Sequence, residues 1–103
     1  MTIPFIAFAT PNPQHMVDAQ AYVQAIAKVI TASGGVIRSR VRCAEVVYNQ
    51  ATTDADAPTA TMLVEFPSRE HIDRFLASPE YNALQALRER AWRRLQLVVG
   101  QPG

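Results

Sequence analysis

The strongest candidate for a functional pattern is a set of three arginines two positions apart, Arg38, Arg40 and Arg42. Successive side chains on a β-strand point to opposite faces, so residues at this spacing share one face. If Val41 packs beneath helices, all three guanidinium groups point away from them, toward a cavity on the other face of the sheet. Guanidinium groups pair with carboxylates in a bidentate geometry. The pattern therefore predicts a local site for a small carboxylate or enolate ligand.

Glu65 and Tyr81 complete the candidate ligand-binding residues. If Val64 and Phe66 are core residues, Glu65 points toward the same cavity and forms a partly buried, bidentate pair with one of the arginines. Tyr81 lies on the inward stripe of a helix and has the polar tip that aromatic pocket residues often carry. Structural roles are the alternative. The arginines would protect an edge strand from aggregation, Glu65 would fix an interface, and Tyr81 would pack in the core.

Two histidines and one cysteine remain, and they form no recognisable catalytic or metal-binding pattern. His15 and His71 each lie near the start of a helix, where the helix dipole disfavours a protonated ring, and we interpret both as surface or interface residues. Cys43 is interpreted as a structural thiol. The three residues lack the spacing of metal ligands, so we expect no metal and no cofactor. A basic run follows near the C-terminus, and we interpret it as a solvated face: Arg88, Arg90, Arg93 and Arg94.

Length and charge exclude several classes of protein. A chain of 103 residues is the size of one domain, residues 1–103, with one core. Ten basic and nine acidic residues leave a net charge of +1, so no overall field attracts nucleic acid or an anionic membrane. The single cysteine, the lack of a secretion signal and the lack of a long apolar run indicate a cytoplasmic protein.

The predicted secondary structure around the candidate residues follows the order βαββαβ. Four apolar or β-branched runs predict strands, at Thr2 to Thr10, Val36 to Tyr48, Thr59 to Phe66 and Arg94 to Val99. Helical spacing predicts a helix from about Pro13 to Ser33 and a second helical element restarted at Ser78-Pro79-Glu80, while Asn49 to Pro58 is a polar loop. Right-handed crossovers turn this order into an α+β, ferredoxin-like sheet of strand order 4-1-3-2, with the helices on one face.

The two central strands of that sheet are apolar on both faces. Because side chains alternate, Ile6 and Phe8 of the first strand lie on the other face of the sheet from Phe5. Leu63 of the third strand likewise lies on the other face from Val64. The helices cover one face only, and an apolar sheet centre open to water is typical of an association surface. We therefore expect a homodimer formed through this sheet face, burying about 800 Å² per chain.

Four segments of the C-terminal half have a recognisable spacing: Glu65-Phe66-Pro67-Ser68, Ser78-Pro79-Glu80-Tyr81, Leu87-Arg88 and Val98-Val99-Gly100. They resemble the DUF1330 family, a domain of unknown function in the dimeric α/β-barrel superfamily. Arg40 falls where that family often has an arginine, but Val41 and Arg42 replace the glycines that tend to follow it. The resemblance implies the fold and the dimer, and it implies no established reaction.

Two functions of different classes stay open. The first is an enzyme or binding protein for a small anionic metabolite, with its pocket beside the sheet. The second is a non-catalytic dimerisation or ligand-sensing module in which the candidate residues only hold the interface. RNA binding, which the same element order also supports, is discounted because the strand from Thr59 to Phe66 lacks the glycine-aromatic signature and carries Glu65, which repels phosphate.

Overall fold

The computed structural model describes residues 1–50 and 59–101 of the chain. Its elements are β1 (Ile3–Pro11), a 3-10 turn (Pro13–His15), α1 (Met16–Ala32), β2 (Val36–Arg42), β3 (Ala60–Phe66), α2 (Arg69–Ala77), α3 (Pro79–Asn82), α4 (Gln85–Ala91) and β4 (Trp92–Val99). The predicted order βαββαβ is confirmed, with the second helical element divided into three short helices. Most of the predicted polar loop, residues 51–58, lies outside the described residues.

The four strands form one antiparallel sheet in the order β2-β3-β1-β4, which is the predicted order seen from the other edge. β1 is central, and its Phe5 is opposite Val64 of β3 on one side and Val99 of β4 on the other. The helices pack on the face that carries Phe5 and Val64. The fold is therefore the predicted α+β, ferredoxin-like arrangement.

Two glycines end α1 and bring the chain back to the sheet. Gly34 has a φ of 91°, a left-handed conformation that glycine adopts without steric cost. Its N–H donates to the Thr31 carbonyl at 3.1 Å, and the Gly35 N–H donates to the Ile30 carbonyl at 2.9 Å. This pair of bonds is a Schellman motif, as the Gly34-Gly35 stop signal predicts. A Cβ on Gly35 would lie 3.0 Å from the Phe66 ring, so this position also allows α1 to approach the core closely.

Serine caps divide the second helical element. The Ser68 hydroxyl accepts from the His71 N–H at 3.3 Å at the start of α2, and the Ser78 hydroxyl accepts from the Tyr81 N–H at 3.1 Å at the start of α3. Pro79 occupies the first position of α3, where its missing N–H costs nothing. The change of direction at Ser78 lets α2 and α4 face the same core.

The core beneath the helices is built from aromatic rings in contact. Phe66 lies between Phe5 and Phe75, with ring centroids 5.7 and 5.5 Å away, and Tyr81 follows Phe75 at 5.0 Å. Burial of each such side chain contributes about 2–3 kcal/mol to the free energy of unfolding. These residues come from β1, β3, α2 and α3, so the ring cluster fixes the helices against the sheet.

The opposite face of the sheet, which we call the open face, is apolar. The strand register puts Ile6 opposite Leu63 and Val98, and Phe8 opposite Thr61. Val36 at the edge, on the same face, is 47% exposed. The prediction that the central strands are apolar on both sides is confirmed.

β2 is shorter than predicted, because it ends at Arg42 and not at Tyr48. Arg42 is opposite Ala60, the first residue of β3, and one further bond joins the Cys43 N–H to the Thr59 carbonyl at 2.8 Å. Residues 44–50 have no strand beside them in the described chain, so they do not form a strand although their sequence favours one. At the other end of the sheet, β4 begins at Trp92, two residues earlier than predicted.

The prediction that Arg38, Arg40 and Arg42 share one face, with Val41 beneath the helices, is wrong. Ile37 is opposite Val64, but Ser39 is already opposite Leu63, so Arg38 is an additional residue in β2. Such a bulge shifts the alternation by one residue. Arg40 and Arg42 therefore lie on the helix-covered face, while Val41 lies on the open face.

Candidate functional site

A cleft of about 720 Å³ lies between α1 and the helix-covered face of the sheet. Its floor contains three alanines, Ala7, Ala9 and Ala60, whose short side chains leave room below the helix. Val23 and Ile26 of α1 line the other side. A volume of this size falls within the range of about 300–1,000 Å³ for small-molecule sites, and such sites are mostly apolar.

The rim of the cleft is positively charged. Arg40 and Arg42 line it at the β2 edge, and they are the charged residues among the described lining side chains. Within residues 1–50 and 59–101, neither guanidinium group forms an ion pair with a carboxylate. The bulge at Arg38 is what places both on this side. The rim therefore offers donors to an anion, next to an apolar interior.

A cluster of aromatic residues around one arginine closes the cleft near α4. Tyr22, Tyr81 and Trp92 line the cleft, and the rings of Tyr22 and Trp92 meet edge to face at 5.8 Å. The Arg88 guanidinium carbon lies 4.4 Å from the centre of the Tyr81 ring and 6.0 Å from that of Tyr22. Cation–π contacts of this kind hold the arginine in place.

Two donors in this cluster lack partners. The Arg88 Nη1 and Trp92 Nε1 atoms are buried without a hydrogen-bond acceptor in the described part of the chain. Buried donors without partners are uncommon and cost free energy. The cleft thus has an unused donor on its lining residue Trp92, and a second unused donor lies on Arg88 beside the Tyr81 ring.

The Tyr22 hydroxyl is the perturbed titratable group of the site. Burial raises its pKa above the ordinary value of 10.0, and the nearby Tyr81 acts in the same direction. The nearby positive charge of Arg88 opposes this effect without cancelling it. Tyr22 is therefore a neutral phenol at neutral pH, able to donate a proton in a hydrogen bond.

The structure divides the predicted site residues between the two faces of the sheet. Arg40, Arg42 and Tyr81 come together at the cleft. Arg38 and Glu65 lie on the open face, where Arg38 Nε is 3.2 Å from Glu65 Oε1. The prediction that Glu65 pairs with one of the arginines is confirmed. The prediction that this pair shares a site with the other two arginines is wrong, because the sheet lies between them.

The Glu65 carboxylate forms hydrogen bonds with two side chains of its own chain. Its Oε2 accepts a hydrogen bond from the Thr2 hydroxyl at 2.8 Å, while Oε1 faces Arg38. Arg38 thus meets one carboxylate oxygen through Nε, and the predicted bidentate geometry is not formed. Since both side chains are partly exposed, this pair contributes about 0–1 kcal/mol to stability.

The sequence did not predict Tyr22 and Trp92, which line the cleft, or Arg88, which contacts Tyr81, as site residues. Arg88 was assigned to a solvated basic face, and that interpretation is wrong because its guanidinium group stacks on Tyr81. The spacing of seven residues between Tyr81 and Arg88, which is two helical turns, could have predicted that they lie on the same side of a helix. Nothing in the local pattern connects either residue with Tyr22 on α1, since that contact depends on how the helices pack.

The histidines take part in helix capping and surface contacts. His71 Nδ1 lies 2.8 Å from the Ser68 hydroxyl at the start of α2, and His15 Nδ1 lies 3.4 Å from an Asp18 oxygen. Over residues 1–50 and 59–101, no three His, Cys, Asp or Glu side chains lie close enough together to hold a metal ion. None of the helices in these same ranges is both long and apolar enough to cross a membrane.

Several solved structures share this fold. A Dabb-family protein with a ferredoxin-like fold from Mesorhizobium loti superposes with a TM-score of 0.70 at 13% identity, over 98% of this chain and 96% of that one. A protein of unknown function from Rhodopseudomonas palustris gives 0.76 at 16% identity, over 98% and 82%. A dimeric protein of unknown function from Bacteroides fragilis, also ferredoxin-like, gives 0.64 at 12% identity, over 98% and 96%. At these identities the likeness establishes the fold alone.

The sequence itself places the chain in a family. No curated protein matches it in sequence. Residues 6–101 match the domain of unknown function DUF1330, which covers all of the described strands and helices apart from the first residues of β1. The resemblance expected from the C-terminal segments is confirmed over nearly the whole chain. The chain belongs to the DUF1330 family.

Proposed function

We propose that this protein binds a small anionic molecule with an apolar body in the cleft between α1 and the sheet. The observation that supports it is an apolar cleft of about 720 Å³ whose charged lining residues, in the described chain, are Arg40 and Arg42. Apolar walls supply affinity, and a few placed polar groups fix orientation. A carboxylate matches the planar guanidinium group in a bidentate geometry.

The arrangement of the cleft suggests how the ligand lies. Its anionic group contacts Arg40 and Arg42 at the rim, and its apolar body covers Ala7 and Ala9 on the floor. The far end of the ligand reaches the aromatic cluster, where the neutral Tyr22 hydroxyl is a donor. This orientation makes Tyr22 a hydrogen-bond donor to the far end of the ligand.

The binding proposal is tested with benzoate and hexanoate, and with benzyl alcohol as the uncharged probe, by calorimetry and thermal shift. We expect both carboxylates to raise the melting temperature and the alcohol to have little effect. Arg40→Ala should weaken carboxylate binding about tenfold, the effect of losing one charge-assisted hydrogen bond. Arg93→Ala is the matched control, because Arg93 is exposed and lies outside the cleft.

If Arg40→Ala and Arg93→Ala weaken carboxylate binding equally, the cleft is rejected as the binding site. Absence of any carboxylate effect on the wild-type protein, or equal effects of the alcohol and the acids, would reject an anion-binding function. Loss of the dimer in Arg40→Ala would instead assign this arginine to an interface.

We also propose that the protein is a homodimer joined through the open face of the sheet. Ile6, Phe8 and Leu63 form the centre of this face, and Val36 and Val98, at 47% and 39% exposed, extend it to both edges. Two-fold symmetry lets one such face cover another, and a standard interface buries about 800 Å² on each partner. The dimeric Bacteroides fragilis protein of the same fold supports this assembly.

Sedimentation equilibrium of Leu63→Arg tests the dimer. An arginine at the centre of the open face would be buried without a partner, so we expect the variant to be monomeric and folded. Val17→Arg is the matched control, since Val17 is an 80% exposed valine on α1, outside that face. A wild-type protein that sediments as a compact single chain at micromolar concentration would overturn the proposal.

A further inference from the structure

Two glutamines of α1 line the same cleft as Arg40 and Arg42. Gln20 and Gln24 are both exposed residues of the cleft lining. They are four positions apart, so they lie on the same side of the helix. Within residues 1–50 and 59–101, neither side-chain amide forms a hydrogen bond. The side of α1 that borders the cleft thus carries two amide groups that can bind a ligand.

The chain reversal between α1 and β2 brings these amides level with the two arginines. The Gly35 N–H donates to a carbonyl in the last turn of α1, so the strand starts where the helix ends. Allowing for the bulge in β2, Arg40 and Arg42 lie about 13 and 20 Å further along the strand, at about 3.3 Å per residue. The same distances back along α1, at about 1.5 Å per residue, end near Gln24 and Gln20. Each glutamine is therefore level with one arginine across the cleft.

We propose that Gln20 and Gln24 select a carboxylate that carries a hydroxyl group on the adjacent carbon. The inference rests on the anion-binding function proposed above and names the class of ligand, a 2-hydroxy acid with an apolar chain. When the carboxylate binds Arg40 and Arg42, the carbon next to it lies at the rim, where α1 forms the other side of the cleft. A substituent on that carbon contacts the glutamine amides.

An amide group complements a hydroxyl group in both directions. The amide oxygen accepts a hydrogen bond and the amide nitrogen donates one, while a hydroxyl group can do both. A guanidinium group has donors only, so the arginines cannot accept from the hydroxyl group of the ligand. An ammonium group on the same carbon would be repelled by two guanidinium charges, so 2-amino acids are disfavoured. A neutral hydroxyl group is the substituent that fits both sides of the rim.

Calorimetry with hexanoate, 2-hydroxyhexanoate and 2-aminohexanoate tests the inference. We expect the hydroxy acid to bind the wild-type protein about fivefold more tightly than hexanoate, the effect of one added hydrogen bond, and the amino acid to bind more weakly than hexanoate. In the double variant Gln20→Met/Gln24→Met, the hydroxy acid and hexanoate should bind equally. Methionine favours a helix as much as glutamine does, so α1 is retained. Gln14→Met is the matched control at an exposed glutamine outside the cleft, and it should keep the wild-type preference.

The outcomes separate this inference from the anion-binding function itself. If hexanoate binds but the hydroxy acid binds no more tightly, or if the double variant keeps the preference, selection by the glutamines is rejected and the anion-binding cleft stands. Tighter binding of the amino acid than of hexanoate would also reject the selection, because it requires a negative group beside the arginines. If none of these carboxylates binds the wild-type protein, the anion-binding function is rejected together with the selectivity that depends on it.

Discussion

The two faces of the sheet are made by the same strands but serve different purposes. On the helix-covered face, β1 presents Phe5 to the core and then two small residues, Ala7 and Ala9, to the cleft. On the open face it presents Ile6 and Phe8, which the described helices leave uncovered. One strand with alternating side chains can therefore hold a core and border a cleft on one face while it presents an apolar surface on the other.

Truncation of one phenylalanine on each face is the strongest test of the difference between the two faces. Phe5→Ala should lower the free energy of unfolding by about 3–5 kcal/mol at every protein concentration, because it opens a cavity in the core. Phe8→Ala should act mainly on the dimer, so its cost should shrink when the protein is diluted. Urea unfolding at two protein concentrations measures both. Equal, concentration-independent losses would mean that both residues belong to the core of the monomer.

Filling the cleft is expected to have a smaller effect on stability and a large effect on binding. Ala9→Leu should abolish the response to benzoate by occupying the floor of the cleft, with a change in stability of about 1–3 kcal/mol. Gln96→Leu places the same side chain on the open face and should leave binding intact. Calorimetry measures benzoate binding and urea unfolding measures stability. If Ala9→Leu still binds benzoate, the ligand binds outside the cleft.

Substitution of an arginine on each face should affect either stability or ligand affinity, but not both. Arg38→Ala removes the ion pair with Glu65, so it should cost about 0–1 kcal/mol of stability and leave benzoate affinity unchanged. Arg42→Ala should do the reverse, with unchanged stability and an affinity about tenfold lower. If Arg38→Ala also weakened benzoate binding, the assignment of the two faces would be contradicted.

The smallest effect concerns pH and appears only in alkaline solution. Burial raises the pKa of Tyr22 in the folded state above its unfolded value of 10.0. The stability that its neutral form contributes is therefore complete below pH 10.0 and is lost as pH rises through the folded pKa. The wild-type free energy of unfolding should fall more steeply above this pH than that of Tyr22→Phe. Parallel pH profiles of the two proteins would contradict the shift.

Much of the fold is encoded in short-range patterns. Gly34-Gly35 and Ser78-Pro79 predict where helices stop and restart because backbone conformation and missing hydrogen-bond donors act over a few residues. Strand order follows from the right-handedness of βαβ crossovers. The strand predicted beyond Arg42 was wrong because a strand also needs a neighbour, and β3 ends its pairing there.

The element order, the apolar character of both faces of the central strands and the family could all be predicted from the sequence, since they depend on residue types at local spacing. The face that each arginine occupies and the proximity of Arg88 to Tyr22 could not be predicted, because they depend on how distant segments pair and pack. Side chains alternate between the two faces of a strand, so one additional residue at Arg38 moves each later side chain of β2 to the other face. Whether β2 accommodates that residue depends on its pairing with β3. Contacts between α1 and α4 depend likewise on packing between distant segments.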